Sequence, residues 1–419
     1  MKRLAMAALL MAAALNGAMP AADDSGPLEE GVITEVSGQA AVLNSRGRSR
    51  PAKPGEVVRG SEIIETQADG RVKITLVDRS LLEVRPNSRV QINDSRLNPR
   101  GISSVLVYVG WIWAKVTART VADYAFEVEA ATAVAGVRGT ELEVAVAEDG
   151  STRVGVREGR AVMENEAGSL RLGQDQTGEA GYERAPEATG SYSEQAEFWL
   201  TWLGQHHLAL FSDLEVFVIR MVTAVLDARA NLIERDREFR EAYEGFEEQH
   251  PVAEKPAAKP EEEPAAEPET EDKKDQQERA EAATEVHKLY RKARQAQKEA
   301  HRMECNYYLA EQARSAVARS PEKFSPSQVQ AIAQSLAQAQ DIPQIQQQSR
   351  LALNGYAAVL ETQVSRYSLA SSLGRLPPLE RNAQIQQILK QIPGAMPPMP
   401  PPQSMPKPVM PPMPRPRMP

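Results

Sequence analysis

The stretch "ATAVAGVRGTELEVAV", Ala131 to Val146, decides the fold. Its second half alternates cleanly. Thr140, Leu142, Val144 and Val146 fall on one side, and Glu141, Glu143 and Ala145 on the other. A period of two is the mark of a strand with one face in a core. The first half holds small residues and two glycines around Arg138. Gly136 and Gly139 let the chain reverse, or cross between sheets, where a Cβ would clash. The expectation is a tight corner directly ahead of a core strand. Just upstream, Phe126 and Val128 alternate with Glu127 and Glu129, so a second strand enters the same corner.

The same grammar extends over residues 31–182, where short alternating runs are separated by Gly, Pro, Asn and Asp. Val32, Thr34 and Val36 are expected to pair with Ala40 and Val42 in a hairpin turning at Ser37-Gly38. Val72, Ile74 and Leu76 share a face. Leu82 and Val84 follow the Asp78-Arg79-Ser80 turn, and Val90 and Ile92 follow Pro86-Asn87-Ser88. "TRVGVREGRAVMEN" reads as a hairpin with Glu158-Gly159 at its tip. Strands this closely spaced predict an all-β domain, a β-sandwich or β-roll.

After this domain the period becomes helical. Residues 193–249 carry Phe198, Trp202, Leu208, Phe211, Leu214, Val218, Met221, Val225 and Leu232 at three- and four-residue steps, an amphipathic helical segment. Residues 250–276 are rich in Pro, Glu and Ala and read as an extended linker. Residues 277–392 predict a helical hairpin or coiled-coil region. Val286, Leu289, Ala293, Ala296, Ala300, Met303, Tyr307, Ala310 and Val317 fit a heptad seam whose small residues allow close approach. Ser320-Pro321, Ser325-Pro326 and Asp341-Ile342-Pro343 punctuate it, and a short helix with Ile385, Ile388 and Ile392 follows. Residues 393–419 are a Pro/Met-rich tail of disordered composition.

The whole chain has 419 residues and a net charge of −8, which gives no general attraction to nucleic acid. Lys2 and Arg3 precede an apolar run, Leu4 to Leu15, too short to span a bilayer comfortably. Residues 1–22 therefore read as a signal peptide, and the expected location is the periplasm or outer cell envelope. The single cysteine, Cys305, cannot form an internal disulfide. The most apolar later segment is broken by Asp213, Glu215 and Arg220, so no span after the signal sequence is expected.

Taken together, "TAVAGVRGTELEV", "GWIWAKVT", "GVITEVSGQAAVL", "PGEVVRGSEIIET" and "VDRSLLEVRPNSRVQI" resemble the FecR domain family over about residues 31–182. The sequence departs at Asp78-Arg79-Ser80, Ala130-Ala131 and Leu142, in ways that alter turns and packing. The resemblance implies a periplasmic β module. In its founding type that module reports the state of an outer-membrane receptor to a cytoplasmic sigma factor. That output needs a cytoplasmic segment and a full spanning helix; only Met1 to Arg3 precede the apolar run here, so the sigma-regulator role is not expected of this chain.

Several residues are candidates for binding. Arg138 between its glycines could offer guanidinium and backbone donors to an anion, or bond carbonyls at the corner. Trp111 and Trp113 share a strand face and suit either a partner platform or a core edge. His301 and Cys305 lie one helical turn apart without further metal ligands close in sequence. His206 and His207 read as surface or interface residues. The tail's Met396-Pro-Pro-Met399 and Met410-Pro-Pro-Met413 suit Cu(I) or a docking arm. No catalytic motif is present, and no cofactor or metal is assigned. The reading is a non-enzymatic, exported FecR-domain protein that binds a protein or glycan partner in the envelope, with signal-related work open. The alternatives are an envelope scaffold oligomerising through its helices, and a copper-handling protein or hydrolase.

Overall fold

The computed structural model describes residues 27–98, 103–117, 126–195, 198–251, 268–367, 369 and 378–392. The first strands in chain order are β1 (Glu29–Ser37), β2 (Ala40–Leu43), β3 (Ser49–Pro51), β4 (Val57–Arg59), β5 (Ile63–Thr66), β6 (Arg71–Leu76), β7 (Leu81–Val84) and β8 (Arg89–Ile92). A long central strand, β9 (Ser103–Lys115), follows. The second half contains β10 (Phe126–Glu129), β11 (Val134–Val137), β12 (Glu141–Val146), β13 (Thr152–Glu158), β14 (Ala161–Asn165), β15 (Gly168–Leu172), β16 (Gln176–Gly181) and β17 (Arg184–Ser191).

These strands form two sheets that share β9. The first sheet runs β4-β1-β6-β7-β9-β12-β13-β16-β17. The second runs β3-β2-β5-β8-β9-β10-β11-β14-β15, antiparallel except for the parallel β9–β10 pair. The N-terminal half of β9 belongs to the second sheet and its C-terminal half to the first. The change falls at Gly110, whose φ is +101°. A Cβ there would lie 2.3 Å from Ser88 Oγ, so only glycine lets the strand turn between sheets at this point. Alternate residues of both sheets face inward, and Val72, Ile74, Leu82, Val107, Ile112, Leu142, Val144 and Val154 share one buried cluster.

The expected corner is present. β10 and β11 form a hairpin within the second sheet, and the chain then crosses to β12 in the first through Arg138 and Gly139, with Gly139 at φ +56°. The other two hairpin expectations need correction. β1 pairs with β4 and β6, not with β2, so Ser37-Gly38 is a corner between sheets. Glu158-Gly159 likewise joins β13 of the first sheet to β14 of the second. A two-residue glycine turn serves a hairpin or a corner equally well, and pairing with strands distant in sequence decides between them.

The helices are α1 (Tyr192–Gln195), α2 (Trp199–Ser212), α3 (Leu214–Gln249), α4 (Pro268–Arg319), α5 (Pro326–Ala337), α6 (Ile342–Arg366) and α7 (Pro378–Leu389). α4 begins inside the stretch read as linker. Pro268 suits a first helical position, and the acidic residues after it suit a helix N-terminus. α5 starts at the expected Ser-Pro break, with a capping box between Ser325 and Gln328.

α3 and α4 run antiparallel, with Asn231 reaching Glu299 and Lys292 reaching Glu238. α6 lies along α3. Arg229 pairs with Asp341, and the Tyr356 hydroxyl donates to the buried Asp236. The heptad residues Val286, Leu289, Ala293, Ala296, Ala300 and Met303 are buried within this bundle. α7 returns to β1, where Arg381 donates to the Glu29 carbonyl at 2.8 Å and pairs with Glu30. No helix among the described residues is long and apolar enough to cross a membrane.

Gly110→Ala is expected to lower stability by about 2 kcal/mol or more, through a strained φ and a clash with Ser88. Reversible urea unfolding checks this; an unchanged midpoint would show that β9 does not need its bend.

Candidate functional site

The strand "FEVE" places Phe126 and Val128 in the sandwich core and turns Glu127 and Glu129 to the outer face of the second sheet. That face is covered by α4, and Glu129 is only 2% exposed. A buried carboxylate is costly unless it is paired and hydrogen-bonded. Here Arg294 Nη2 donates to Glu129 Oε1 at 2.6 Å, and Asn93 Nδ2 donates to the same oxygen at 3.0 Å. His301 Nδ1 stands 2.9 Å from Glu129 Oε2. Burial pushes the Glu129 carboxyl upward, but Arg294 and His301 outweigh it and hold it well below the usual carboxylate range. Arg294 also reaches Glu127.

One helical turn further on, Glu304 is buried as well. Tyr108 donates to it at 3.0 Å, and Arg350 of α6 grips it through Nε and Nη2 at 3.0 and 3.1 Å. The Cys305 thiol packs 3.7 Å from the Val107 carbonyl, and burial pushes it well above the ordinary thiol range. With Gln91 of β8 also standing 3.4 Å from His301, α4 is fastened to β8, β9 and β10 by largely buried polar groups.

Beside these contacts a cleft of about 860 Å³ opens between the β10–β11 turn and the helices. The turn is closed by the Ala130 N–H donating to the Ala133 carbonyl at 2.9 Å. It is braced by Thr132, whose hydroxyl donates to the Gly150 carbonyl at 2.8 Å. Its small side chains leave room for the cleft. Across from them, Val216 and Ile219 of α3 are 46% and 44% exposed, unusual for branched apolar residues that face a neighbouring element. Glu129 and His301 line the inner wall. Glu164, Glu183 and Asp227 line the rim together with Arg220 and Lys298, and among the described residues no ion pair holds the three carboxylates. Arg302 reaches the rim but is taken by Glu166.

The candidates from sequence fall in different places. Trp111 is half-buried, and its ring stacks on Trp199 of α2 at 5.9 Å, with the Arg85 guanidinium 4.2 Å from its centre. Its face is therefore taken by the protein's own helix. Trp113 donates from Nε1 to Glu141 at 3.2 Å. Arg138 is exposed at the corner, outside the cleft, in a second groove. His206 and His207 sit 2.6 Å from Asp149 and Glu148, and so tie α2 to the β12–β13 turn. His301 and Cys305 are used in docking α4, and no group of three metal-ligating side chains stands together among the described residues. The signal run and the Met-rich tail lie outside the described residues.

Glu129, Arg294 and Glu304 were not singled out from the sequence. A Glu on the outer face of an alternating strand reads as solvated, and nothing local shows that a helix about 165 residues later will cover it. The one usable signal was Arg294 and His301, two polar residues on or beside an otherwise small and apolar heptad seam.

Residues 62–162 match the family whose model is described as FecR protein. Two crystal structures of a candidate anti-sigma factor from Parabacteroides distasonis ATCC 8503, at 1.65 and 2.50 Å resolution, are similar at 18% identity, with TM-scores of 0.28 and 0.29. Each match covers 33% of this chain and 64% or 63% of the other, so this chain spans just under two thirds of their length. A likeness at that level bears on neither partner nor role. No curated protein matches the chain.

Glu129→Gln leaves Arg294 buried without its full countercharge and is expected to cost about 3 kcal/mol. The double replacement Glu129→Leu/Arg294→Leu is expected to cost clearly less than Arg294→Leu alone. Chemical denaturation of the variants checks both. Additive losses would mean that the pair is not coupled.

Proposed function

We propose that this chain, whose β core carries a FecR domain, is a non-enzymatic, signal-related interaction protein of the cell envelope. It is exported by its N-terminal signal sequence, and it holds a peptide segment of a partner protein in the cleft between the β10–β11 turn and α3. The observation that carries this reading is the pair of exposed side chains Val216 and Ile219, facing a turn of alanines inside a half-open cleft. Apolar groups left uncovered in a concave site gain by burying a partner's side chains, at about 25 cal/mol per Å². The rim adds specificity. Glu164, Glu183 and Asp227 carry charge that no ion pair among the described residues neutralises, and they outnumber the Arg220 and Lys298 cations of the same lining, so a segment with apolar side chains flanked by Lys or Arg is complementary.

The scaffold reading finds less support. It relied on the heptad seam from Val286 to Val317, and that seam is filled from within the same chain by α3 and α6.

A photo-crosslinking amino acid at Ile219, in cells, is expected to trap one discrete envelope protein. The same probe at Leu351, an apolar residue of α6 that is 66% exposed, is expected to trap none. No adduct at Ile219, or the same adducts from both positions, would contradict the proposal.

A further inference from the structure

Three arginines of the β domain that no carboxylate among the described residues holds lie side by side. Arg50, Arg71, Arg85 and Arg157 are each drawn to a glutamate. Arg138, Arg160 and Arg171 are exposed, and among the described residues no carboxylate pairs with any of them. All three line one shallow groove of about 750 Å³ on the outer face of the second sheet.

The strand register puts them together. Val137 faces Ala161, and Val162 faces Arg171, so Arg138 and Arg160 stand opposite one another where the β11–β14 ladder ends. Like charges at opposed positions destabilise a sheet. The backbone nevertheless fixes them there. The buried Thr140 hydroxyl lies 2.7 Å from the Arg160 carbonyl and 3.0 Å from that of Arg138, and it accepts the Arg160 N–H at 3.2 Å. Gly159, at φ +93°, lets the second turn close against the first; a Cβ there would lie 2.7 Å from the Gly139 carbonyl oxygen. Between the arginines the floor is Gly136 and Val162, with no long side chain to fill it. Glu164 is the carboxylate of the groove, at the end it shares with the cleft.

We infer that this groove binds a phosphate-bearing ligand, whose oxygens take the guanidinium groups of Arg138, Arg160 and Arg171. One arginine satisfies a single carboxylate through a two-bond fork. Three guanidiniums around a floor without side-chain bulk suit a group with more acceptor oxygens and more charge. The phosphate belongs either to a soluble phosphate compound or to a lipid headgroup at a membrane surface. The inference does not rest on the cleft or on its partner.

The test uses the full chain with two probes, inorganic pyrophosphate by calorimetry and phosphatidylcholine vesicles containing phosphatidic acid by co-sedimentation. Binding to pyrophosphate assigns a soluble phosphate, and binding only to the charged vesicles assigns a headgroup. In either case Arg138→Gln/Arg160→Gln/Arg171→Gln is expected to weaken binding by about tenfold or more, roughly 1.4 kcal/mol. Arg46→Gln/Arg48→Gln/Lys53→Gln removes the same charge from exposed positions flanking β3 and is expected to bind like the unmodified chain. Arg171→Gln alone, a single exposed change, is expected to weaken binding while leaving near-UV circular dichroism unaltered. Failure of the unmodified chain to bind either probe, or equal losses in the two triple variants, would overturn the inference.

Discussion

Glu129 and Arg294 meet 2.6 Å apart where both are largely buried, and much of the architecture follows from that contact. A charge in such a place is tolerated only when its partner is present. Glu129 belongs to the β domain and Arg294 to α4, so neither half of the protein is complete without the other. His301, Asn93, Tyr108 and Glu304 extend the same dependence along the helix. The cleft is a consequence of this docking: it is the space that remains where the alanine turn does not reach α3.

The docking surface in turn depends on β9. A strand that passes from one sheet to the other gives the domain two faces with different coverings. The first sheet takes α2 through Trp111 and Trp199, and Gly155 leaves the space that the Trp199 ring occupies. The second sheet takes α4 through polar groups. One interface is aromatic and the other ionic because the outward residues of the two halves of the domain differ.

The fold class was legible because alternation and glycine placement are local. "ELEVAV" is β12, and the corner before it falls at Arg138-Gly139, while the earlier small residues make the β10–β11 turn and β11 itself. The heptad seam was legible for the same reason, and its Ser-Pro breaks fall at helix ends. Pairing partners were not legible. Ser37-Gly38 and Glu158-Gly159 have hairpin chemistry but bridge the two sheets, since β1 and β14 are claimed by strands far away in sequence. The site was legible only in fragments. Arg138 stood out for its glycines, but its companions Arg160 and Arg171 emerge only once β11, β14 and β15 are aligned. Glu129 looked solvated because the helix that buries it comes much later in the chain.

The native thiol offers the most direct measurement. Cys305 is the chain's single cysteine and lies in the interface between α4 and β9. Labelling the folded protein with a chromogenic disulfide reagent reads whether that interface is closed. Negligible labelling is expected under native conditions, and one full equivalent after denaturation. Rapid labelling of a protein that retains its native circular dichroism would show that the helices are not seated on the sheet and that the Glu129–Arg294 contact does not hold them there.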